Sequence, residues 1–289
     1  MSALDSSWGH SSDADTLEGK RMTPSFRGIQ SIRVVANADR LSHEAAEAFI
    51  RIVHRRARAG HAVSVALAGG STPRRLYELL ATEPYRSRIP WRSLHIFWGD
   101  ERCVPPSHPA SNFHMAREAL LSRVPIPAAN IHRVPTEYVD PPSVAAWYER
   151  ALRAFFDVRA TAWPMFDLIL LGLGEDGHTA SLFPRSPALH DQHHLVLAAK
   201  GGHPHVPRIT LSIPVLNHAQ HLLWLVNGMS KASIVRMVLA GPYRPQEIPA
   251  QQIQPVHGAA LWLLDRAAAC LIPAGCVRNE RKITSPRNA

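Results

Sequence analysis

The sequence is poor in cysteine and in long apolar runs. Its 289 residues include three cysteines, Cys103, Cys270 and Cys276, and no two of them form a CxxC pair. This odd, unpaired set argues against a disulfide framework or a cysteine-built zinc site and indicates a reducing cytosol, so we expect a cytoplasmic protein. No apolar stretch reaches the about 18 to 20 residues of a membrane-spanning helix, and the polar, acidic start lacks the layout of a secretory signal. We therefore expect no membrane partner.

Lysine is also scarce, so the excess of positive charge comes from arginine. Lysine and arginine together number 32 against 23 acidic residues, a surplus of +9. Such a surplus attracts anions and favours a polyanionic partner or a phosphorylated substrate. The cations are spread along the chain, without the clustered basic stripe and interleaved aromatics typical of nucleic-acid binding, so we expect no nucleic-acid partner.

What is present is an alternation of strand and helix signals from Ser31 onward. Short apolar runs such as "AVSVALA", "FDLILL" and "HLLWLV" predict buried strands, and segments such as "RLSHEAAEAFIRIVHRRARAG" have helical apolar spacing. This alternation predicts a doubly wound α/β fold, with a mostly parallel sheet and helices on both faces. We expect residues 29–275 to form one catalytic domain, residues 1–28 to be a disordered extension and residues 276–289 to be a basic tail. Ligands of such sheets bind beyond the carboxyl ends of the strands, so the loops there are the candidate sites.

The first such loop is "ALAGGSTP". Gly69 and Gly70 permit a sharp turn with exposed N–H groups, Ser71 and Thr72 offer hydroxyls and an N-cap, and a proline opens the next helix. Together they form an anion site at a helix N-terminus, suited to a phosphate. The alternative is an ordinary strand-to-helix turn, in which the same residues only cap the helix.

The second loop, "GDER", presents Asp100, Glu101 and Arg102 after a strand. Three charged residues at this place either face water or line a cleft, and an arginine can bind a phosphate or carboxylate with two hydrogen bonds. The alternative is a solvated loop with a local ion pair. Asn112, farther on, is interpreted as a helix cap.

The third loop, "GLGEDGHTASLFP", follows the run "FDLILL", and we expect its end, "TASLFP", to continue into a helical turn. It brings His178 close to Glu175 and Asp176, and a histidine oriented by a carboxylate is what a general base at neutral pH requires. The sequence leaves open which acid orients His178, and we favour Asp176. The alternative is an exposed side chain, since the chain has 17 histidines. Ser181 is discounted as a nucleophile because "GHTAS" is not a GxSxG elbow.

Two cations and a histidine-rich segment lie downstream. Arg208 precedes a predicted strand, and Lys231 lies near the start of a helix, where a cation opposes the helix dipole unless it meets an anion. The histidine-rich segment has spacings that can bind zinc, but no cysteines lie nearby, and we favour a solvated surface loop without a metal. Its histidines are His190, His193, His194, His203 and His205.

Six motifs in one order resemble those of 6-phosphogluconolactonases, the second enzyme of the oxidative pentose phosphate pathway. They are "LAGGSTP", "GDERCVP…HPASNF", "GLGEDGHTASLFP", "RITLSIPVLN", "NGMSKA" and "LWLLDRAAA", and the resemblance covers residues 31 to about 275. It implies a Rossmann-like sheet and hydrolysis of 6-phospho-D-glucono-1,5-lactone with no metal or organic cofactor. It also implies a phosphate site at Gly70, Ser71 and Thr72, with Arg102 and Lys231 as cationic partners, and His178 as the catalytic histidine.

In the mechanism that this resemblance implies, His178 takes a proton from the attacking water while Asp176 or Glu175 orients its ring. Arg208 would steady the oxyanion or a sugar hydroxyl. The expected partner is the small sugar-phosphate lactone, and the expected assembly is a monomer or weak homodimer. Two alternatives are an amino-sugar-phosphate isomerase or deaminase, and a non-catalytic sugar-phosphate sensor on the same fold.

Overall fold

A computed structural model describes residues 29–137, 140–159 and 162–273. The predicted disordered extension, 1–28, and the predicted basic tail, 276–289, lie outside the described residues. The strands are β1 (Ile29–Val35), β2 (Val63–Leu67), β3 (Leu94–Trp98), β4 (Asp100–Arg102), β5 (Leu168–Leu171), β6 (Val196–Ala199), β7 (Arg208–Leu211), β8 (His221–Val226) and β9 (Ala259–Asp265). The α-helices are α1 (Ala38–Arg58), α2 (Ser71–Leu80), α3 (Asn112–Ala116), α4 (Pro141–Phe156), α5 (Ile213–Asn217), α6 (Ala232–Ala240) and α7 (Arg266–Ala269).

The main sheet has six parallel strands in the order β1-β9-β8-β5-β2-β3. The chain winds from β1 through β2 to the edge at β3, then returns to β5 beside β2 and continues to β8 and β9. Because parallel crossovers are right-handed, this reversal places the helices of the two runs on opposite faces, which confirms the predicted doubly wound fold. Ligands of such sheets bind where the winding reverses, here at the carboxyl ends of β2 and β5.

Two buried tyrosines hold the ends of β2 and β3. The Tyr77 hydroxyl, from α2, accepts a hydrogen bond from Ala68 N at 3.0 Å and donates one to Ala68 O at 2.8 Å. The Tyr148 hydroxyl, from α4, does the same for the backbone of Trp98, at 2.9 and 3.3 Å. Burial raises the pKa of both phenols, so they stay neutral and can donate. The loops that follow the two strands therefore start from fixed positions.

A second, antiparallel sheet of three strands, β4-β7-β6, was not predicted. The segment Asp100–Arg102, interpreted as a loop, is strand β4, and Arg208 is the first residue of β7 rather than a residue before it. A three-residue polar segment carries no strand pattern, because its pairing depends on a distant partner rather than on its own residues. One cluster of buried apolar side chains joins both sheets. The single-domain interpretation of residues 29–275 stays a prediction.

A helical turn expected at "TASLFP" is wrong. Thr179 and Leu182 form an antiparallel bridge there, and Ala180 between them has a φ of 48°. A search of the described helices for one long and apolar enough to cross a membrane finds none.

Candidate functional site

A cleft of about 280 Å³ opens at the carboxyl ends of β2, β5 and β8. The loops after these strands form it, together with β4 and the start of β7. Nine of the ten predicted site residues line this cleft: Gly69, Gly70, Ser71, Thr72, Asp100, Arg102, His178, Arg208 and Lys231. The tenth, Asp176, does not line the cleft but contacts His178. The cleft thus brings together residues up to 162 positions apart in the sequence. It lies beyond the carboxyl ends of parallel strands, where ligands of such sheets bind.

The N-terminus of α2 faces the cleft without a side-chain cap. Its N-cap is Gly70, with a φ of 102° and no side-chain hydrogen bond, so the expected hydroxyl N-cap from Ser71 or Thr72 is wrong. Thr72 Oγ1 instead donates to Asn227 Oδ1 in the loop after β8. A Cβ at Gly69 would overlap the amide of Asn112, so this turn needs glycine. The first-turn N–H groups and the helix dipole are left to attract an anion.

Asp100 and Ser181 link the floor of the cleft to the loop after β5. Asp100 Oδ2 accepts a hydrogen bond from Ser181 Oγ at 2.7 Å, and its Oδ1 accepts one from Asn112 Nδ2 at 3.3 Å. Ser181 is fully buried and does not line the cleft. Its hydroxyl thus anchors the loop after β5 to Asp100, which agrees with discounting Ser181 as a nucleophile.

Glu101 points away from the cleft and caps α3. Its carboxylate accepts hydrogen bonds from the backbone N–H groups of Arg102, Asn112 and Phe113, each at 2.7 Å, and from Ser111 Oγ at 3.1 Å. Burial raises the pKa of Glu101, although the backbone donors act in the opposite direction. The interpretation of Asn112 as the helix cap is wrong: Ser111 is the N-cap of α3, and Asn112 is the first residue of the helix, with its side chain lining the cleft.

Arg102 and Arg208 lie directly opposite each other on β4 and β7. Arg102 Nη1 donates to Ala110 O at 2.6 Å, and Arg208 Nη2 donates to the carbonyls of His203 and Pro204 at 2.9 and 3.1 Å. Burial lowers the pKa of Arg208, and the charge of Arg102 lowers it further. The nearby carboxylates of Asp100 and Glu101 act to raise this pKa but do not outweigh the other two effects. This pair therefore places two positively charged side chains next to each other in the cleft.

His178 is held by Asp176 in the loop after β5. His178 Nδ1 lies 2.5 Å from Asp176 Oδ1, and the same oxygen accepts the backbone N–H of His178 at 3.1 Å. Burial acts to raise the pKa of Asp176, but the contacts with His178 outweigh it and hold that pKa below its ordinary value. Gly174 and Gly177 make the turn possible, because a Cβ at Gly174 would overlap the His178 ring and Gly177 has a φ of 85°.

The other acid, Glu175, faces away from the histidine. Its Oε1 lies 3.8 Å from Lys231 Nζ, and its side chain is largely exposed. Lys231 lies in a short 3-10 turn that leads into α6, and it is the N-cap residue of that helix. Of the two acids that the sequence left open, Asp176 is the one that contacts His178.

Sequence reasoning missed several cleft residues. Phe183, whose ring centroid lies 4.8 Å from that of His178, and Asn227 line the cleft. Both lie within motifs quoted above, but neither was assigned a role there. His203 also lines it, although the histidine-rich segment was interpreted as a solvated surface loop. Among the described residues, no group of three or more His, Cys, Asp or Glu side chains has the geometry of a metal site.

Comparison with known proteins identifies a family that this chain matches over most of its length. Residues 36–262 match the family described as glucosamine-6-phosphate isomerases/6-phosphogluconolactonase. A 6-phosphogluconolactonase from Synechocystis sp. is 49% identical over 205 residues, covering 71% of this chain and 82% of that protein. One from Haemophilus influenzae is 38% identical over 214 residues, covering 73% and 88%. A solved 6-phosphogluconolactonase from Trypanosoma brucei superposes with a TM-score of 0.76 at 31% identity, over 86% of this chain and 100% of that one.

Proposed function

Because this chain belongs to the family of glucosamine-6-phosphate isomerases and 6-phosphogluconolactonases, we propose that it hydrolyses 6-phospho-D-glucono-1,5-lactone to 6-phospho-D-gluconate. The observation that carries the proposal is the His178–Asp176 contact at 2.5 Å, beside a cleft whose other walls are an uncapped helix N-terminus and three cations. A base and an anion site in one cleft suit a phosphorylated ester.

His178 is the general base. With its Nδ1–H donated to Asp176, its Nε2 carries the lone pair that can accept a proton from water. The water oxygen then bonds to C1 of the lactone, and the C1–ring oxygen bond breaks. The ring oxygen leaves with the electron pair of that bond and takes the proton back from His178 Nε2. The product acid ionises to a carboxylate. A positioned base of this kind contributes about 10²- to 10⁴-fold in rate.

The first turn of α2 and Lys231 hold the phosphate. Gly70 leaves the N–H groups of Ser71 and Thr72 without a side-chain acceptor, and the helix dipole adds positive potential at the same point. Lys231 lines the same cleft, and its ion pair within the described part of the chain is with the exposed Glu175, at 3.8 Å. Binding energy from this remote phosphate fixes the lactone carbonyl against the water. Arg102 and Arg208 add positive charge to the cleft.

A coupled assay tests the proposal. Glucose-6-phosphate dehydrogenase generates the lactone in place, and its decay is followed with and without this protein. We expect decay above the spontaneous rate. His178→Ala should lose about 10²- to 10⁴-fold of the enhancement at an unchanged Tm, whereas His193→Ala, an exposed histidine outside the cleft, should keep it.

Three outcomes would contradict parts of the proposal. Wild-type rates in His178→Ala would show that the base is assigned wrongly. Ammonia release from glucosamine 6-phosphate without lactone turnover would replace the lactonase by a deaminase. Thermal stabilisation by 6-phosphogluconate with turnover of neither compound would indicate a sensor.

A further inference from the structure

The segment of residues 242–252 lies outside the cleft and packs against the loop after β5. It follows α6 and ends in a short 3-10 turn, Pro249–Gln252. None of its residues lines the cleft, so it can act on a reaction there only through other residues. We call it the bracing segment, and we call residues 174–178, which include Asp176 and His178, the catalytic turn.

The bracing segment holds Gly177, which lies between Asp176 and His178. Gly177 O accepts a hydrogen bond from Ala250 N at 2.9 Å. A Cβ on Gly177 would lie 2.9 Å from Ile248 Cγ2 and 3.1 Å from Ile248 Cα, so Ile248 packs directly against the backbone of the turn. Ile248 and Ala250 are both buried. The hydrogen bond and the packing contact together hold the backbone that joins the acid to the histidine.

The catalytic turn is a flexible sequence, since two of its five residues are glycines, which have the greatest backbone freedom. Within the turn, Gly174 N donates to His178 O at 2.8 Å and Gly177 N donates to Gly174 O at 3.1 Å. A further contact with the bracing segment, from Arg185 N to Gln246 O at 2.8 Å, follows later in the loop. The bracing segment thus holds the loop at two points, one before and one after His178.

One buried amide holds the shape of the bracing segment itself. Gln251 Nε2 donates to Met237 O at 2.9 Å and to Pro242 O at 3.0 Å. Gln251 Oε1 accepts a hydrogen bond from Arg244 N at 2.6 Å, and the residue is buried. Three of the eleven residues of the segment are prolines, which have no N–H to donate to regular backbone pairing. The amide of Gln251 supplies hydrogen bonds in their place and ties the segment to α6.

We propose that the bracing segment positions the general base by holding Gly177 with Ile248 and Ala250. Held in this shape, the turn keeps His178 Nδ1 on Asp176 and presents Nε2 to the cleft. This inference rests on the proposed function, in which His178 takes a proton from water. A displacement of about 1 Å at a reacting group can lower a rate about 10²-fold. The effect falls on kcat rather than KM, because the proposed phosphate site at the N-terminus of α2 lies on a different element.

Substitutions at Ile248 test this role, because they can remove or keep the contact with Gly177. Ile248→Ala removes Cγ2. Ile248→Leu also removes Cγ2 but conserves the side-chain volume, so it should fold. Ile248→Val keeps Cγ2 and is the matched conservative variant. Ile50→Ala, at a buried isoleucine of α1 outside the cleft, controls for the general effect of a truncated core side chain.

The measurements are kcat and KM for the lactone, well below the Tm of each variant. We expect kcat of Ile248→Ala to fall about 10- to 100-fold with KM within about threefold. For Ile248→Leu, kcat should fall at least about fivefold, whereas Ile248→Val should stay within about threefold of the wild type. Ile50→Ala should lower Tm without lowering kcat.

A second readout does not depend on turnover. NMR spectra of isotope-labelled histidine rings, at about pH 8.5 where an imidazole is neutral, report which ring nitrogen of His178 carries the proton. The signal that disappears in His178→Ala identifies this ring. We expect the Nδ1–H form in the wild type and in Ile248→Val, and a loss of that form in Ile248→Ala and Ile248→Leu.

An unchanged kcat in both Ile248→Ala and Ile248→Leu would overturn the inference. It would also be wrong if KM rose in proportion to the loss of kcat, or if Ile50→Ala lost as much kcat as Ile248→Ala. If Ile248→Ala does not fold, Ile248→Leu decides. If the wild-type protein failed to hydrolyse the lactone, the proposed function would fail instead, and the position of the proton on His178 would still test the positioning role.

Discussion

Replacing Asp176 with Asn removes the charge beside His178 with little change of shape. The Asp176 carboxylate oxygen accepts both Nδ1–H and the backbone N–H of His178, at 2.5 and 3.1 Å. An amide oxygen can accept the same two bonds, so the loop should keep its conformation. What disappears is the negative charge that stabilises the imidazolium formed when His178 takes the proton. That carboxylate is ionised at neutral pH, because its contacts with His178 hold the pKa of Asp176 below its ordinary value.

The size of the effect follows from the kind of hydrogen bond. A bond to a charged group contributes about 1.5–3 kcal/mol and a neutral bond about 0.5–1.5 kcal/mol, so the change loses about 1–2 kcal/mol. The half-exposed Asp176 side chain keeps the value in this range, because solvent screens its charge. At about 1.36 kcal/mol per tenfold change in rate, kcat should fall roughly 5- to 30-fold.

The assay is steady-state lactone hydrolysis by Asp176→Asn, with Tm measured on the same samples. Asp191→Asn is the matched control, since Asp191 Oδ2 contacts His194 Nδ1 at 2.8 Å outside the cleft, and it should leave kcat unchanged. A loss below twofold in Asp176→Asn would refute the role of its charge. A loss equal to that of His178→Ala would show that the carboxylate does more than stabilise the imidazolium.

Three further predictions concern the same loop and its surroundings. Gly174→Ala should lower kcat by at least about tenfold, because its Cβ would displace the ring of His178; an unchanged rate would contradict the packing of this turn. Ser181→Ala should keep kcat within about threefold but lower the free energy of unfolding, measured in urea, by about 1–3 kcal/mol, because a buried acceptor loses its donor. For Asp191→Asn the loss of Tm should be larger at pH 5.5 than at pH 8.5. The contact with Asp191 raises the pKa of His194, so its stabilisation is present at low pH and is lost as the pH rises through that pKa; an equal loss at both pH values would show that no charged pair is involved.

The main sheet was predictable because its signals are local. The run at Val63–Leu67 is short, made of small and mostly apolar residues and bounded by glycines, which favours a buried strand over a helix. The helical spacing of α1 is also recognisable without knowledge of its neighbours. The sharp turn at the end of β2 followed from Gly69 and Gly70 for the same reason, whereas anion binding there stays a prediction. The antiparallel sheet was not predictable, because β4 has three polar residues and becomes a strand only through its pairing with β7.

The sequence by itself determined the alternation of strands and helices, the loops that carry the candidate site and the residue types within them. Only the tertiary structure decided that Asp176 rather than Glu175 contacts His178, since the turn at Gly177, with a φ of 85°, folds one carboxylate onto the ring while the other reaches Lys231. It also decided that Arg102 and Arg208 face each other. The physical reason is that backbone preference acts over a few residues, whereas contacts between side chains depend on how distant segments pack.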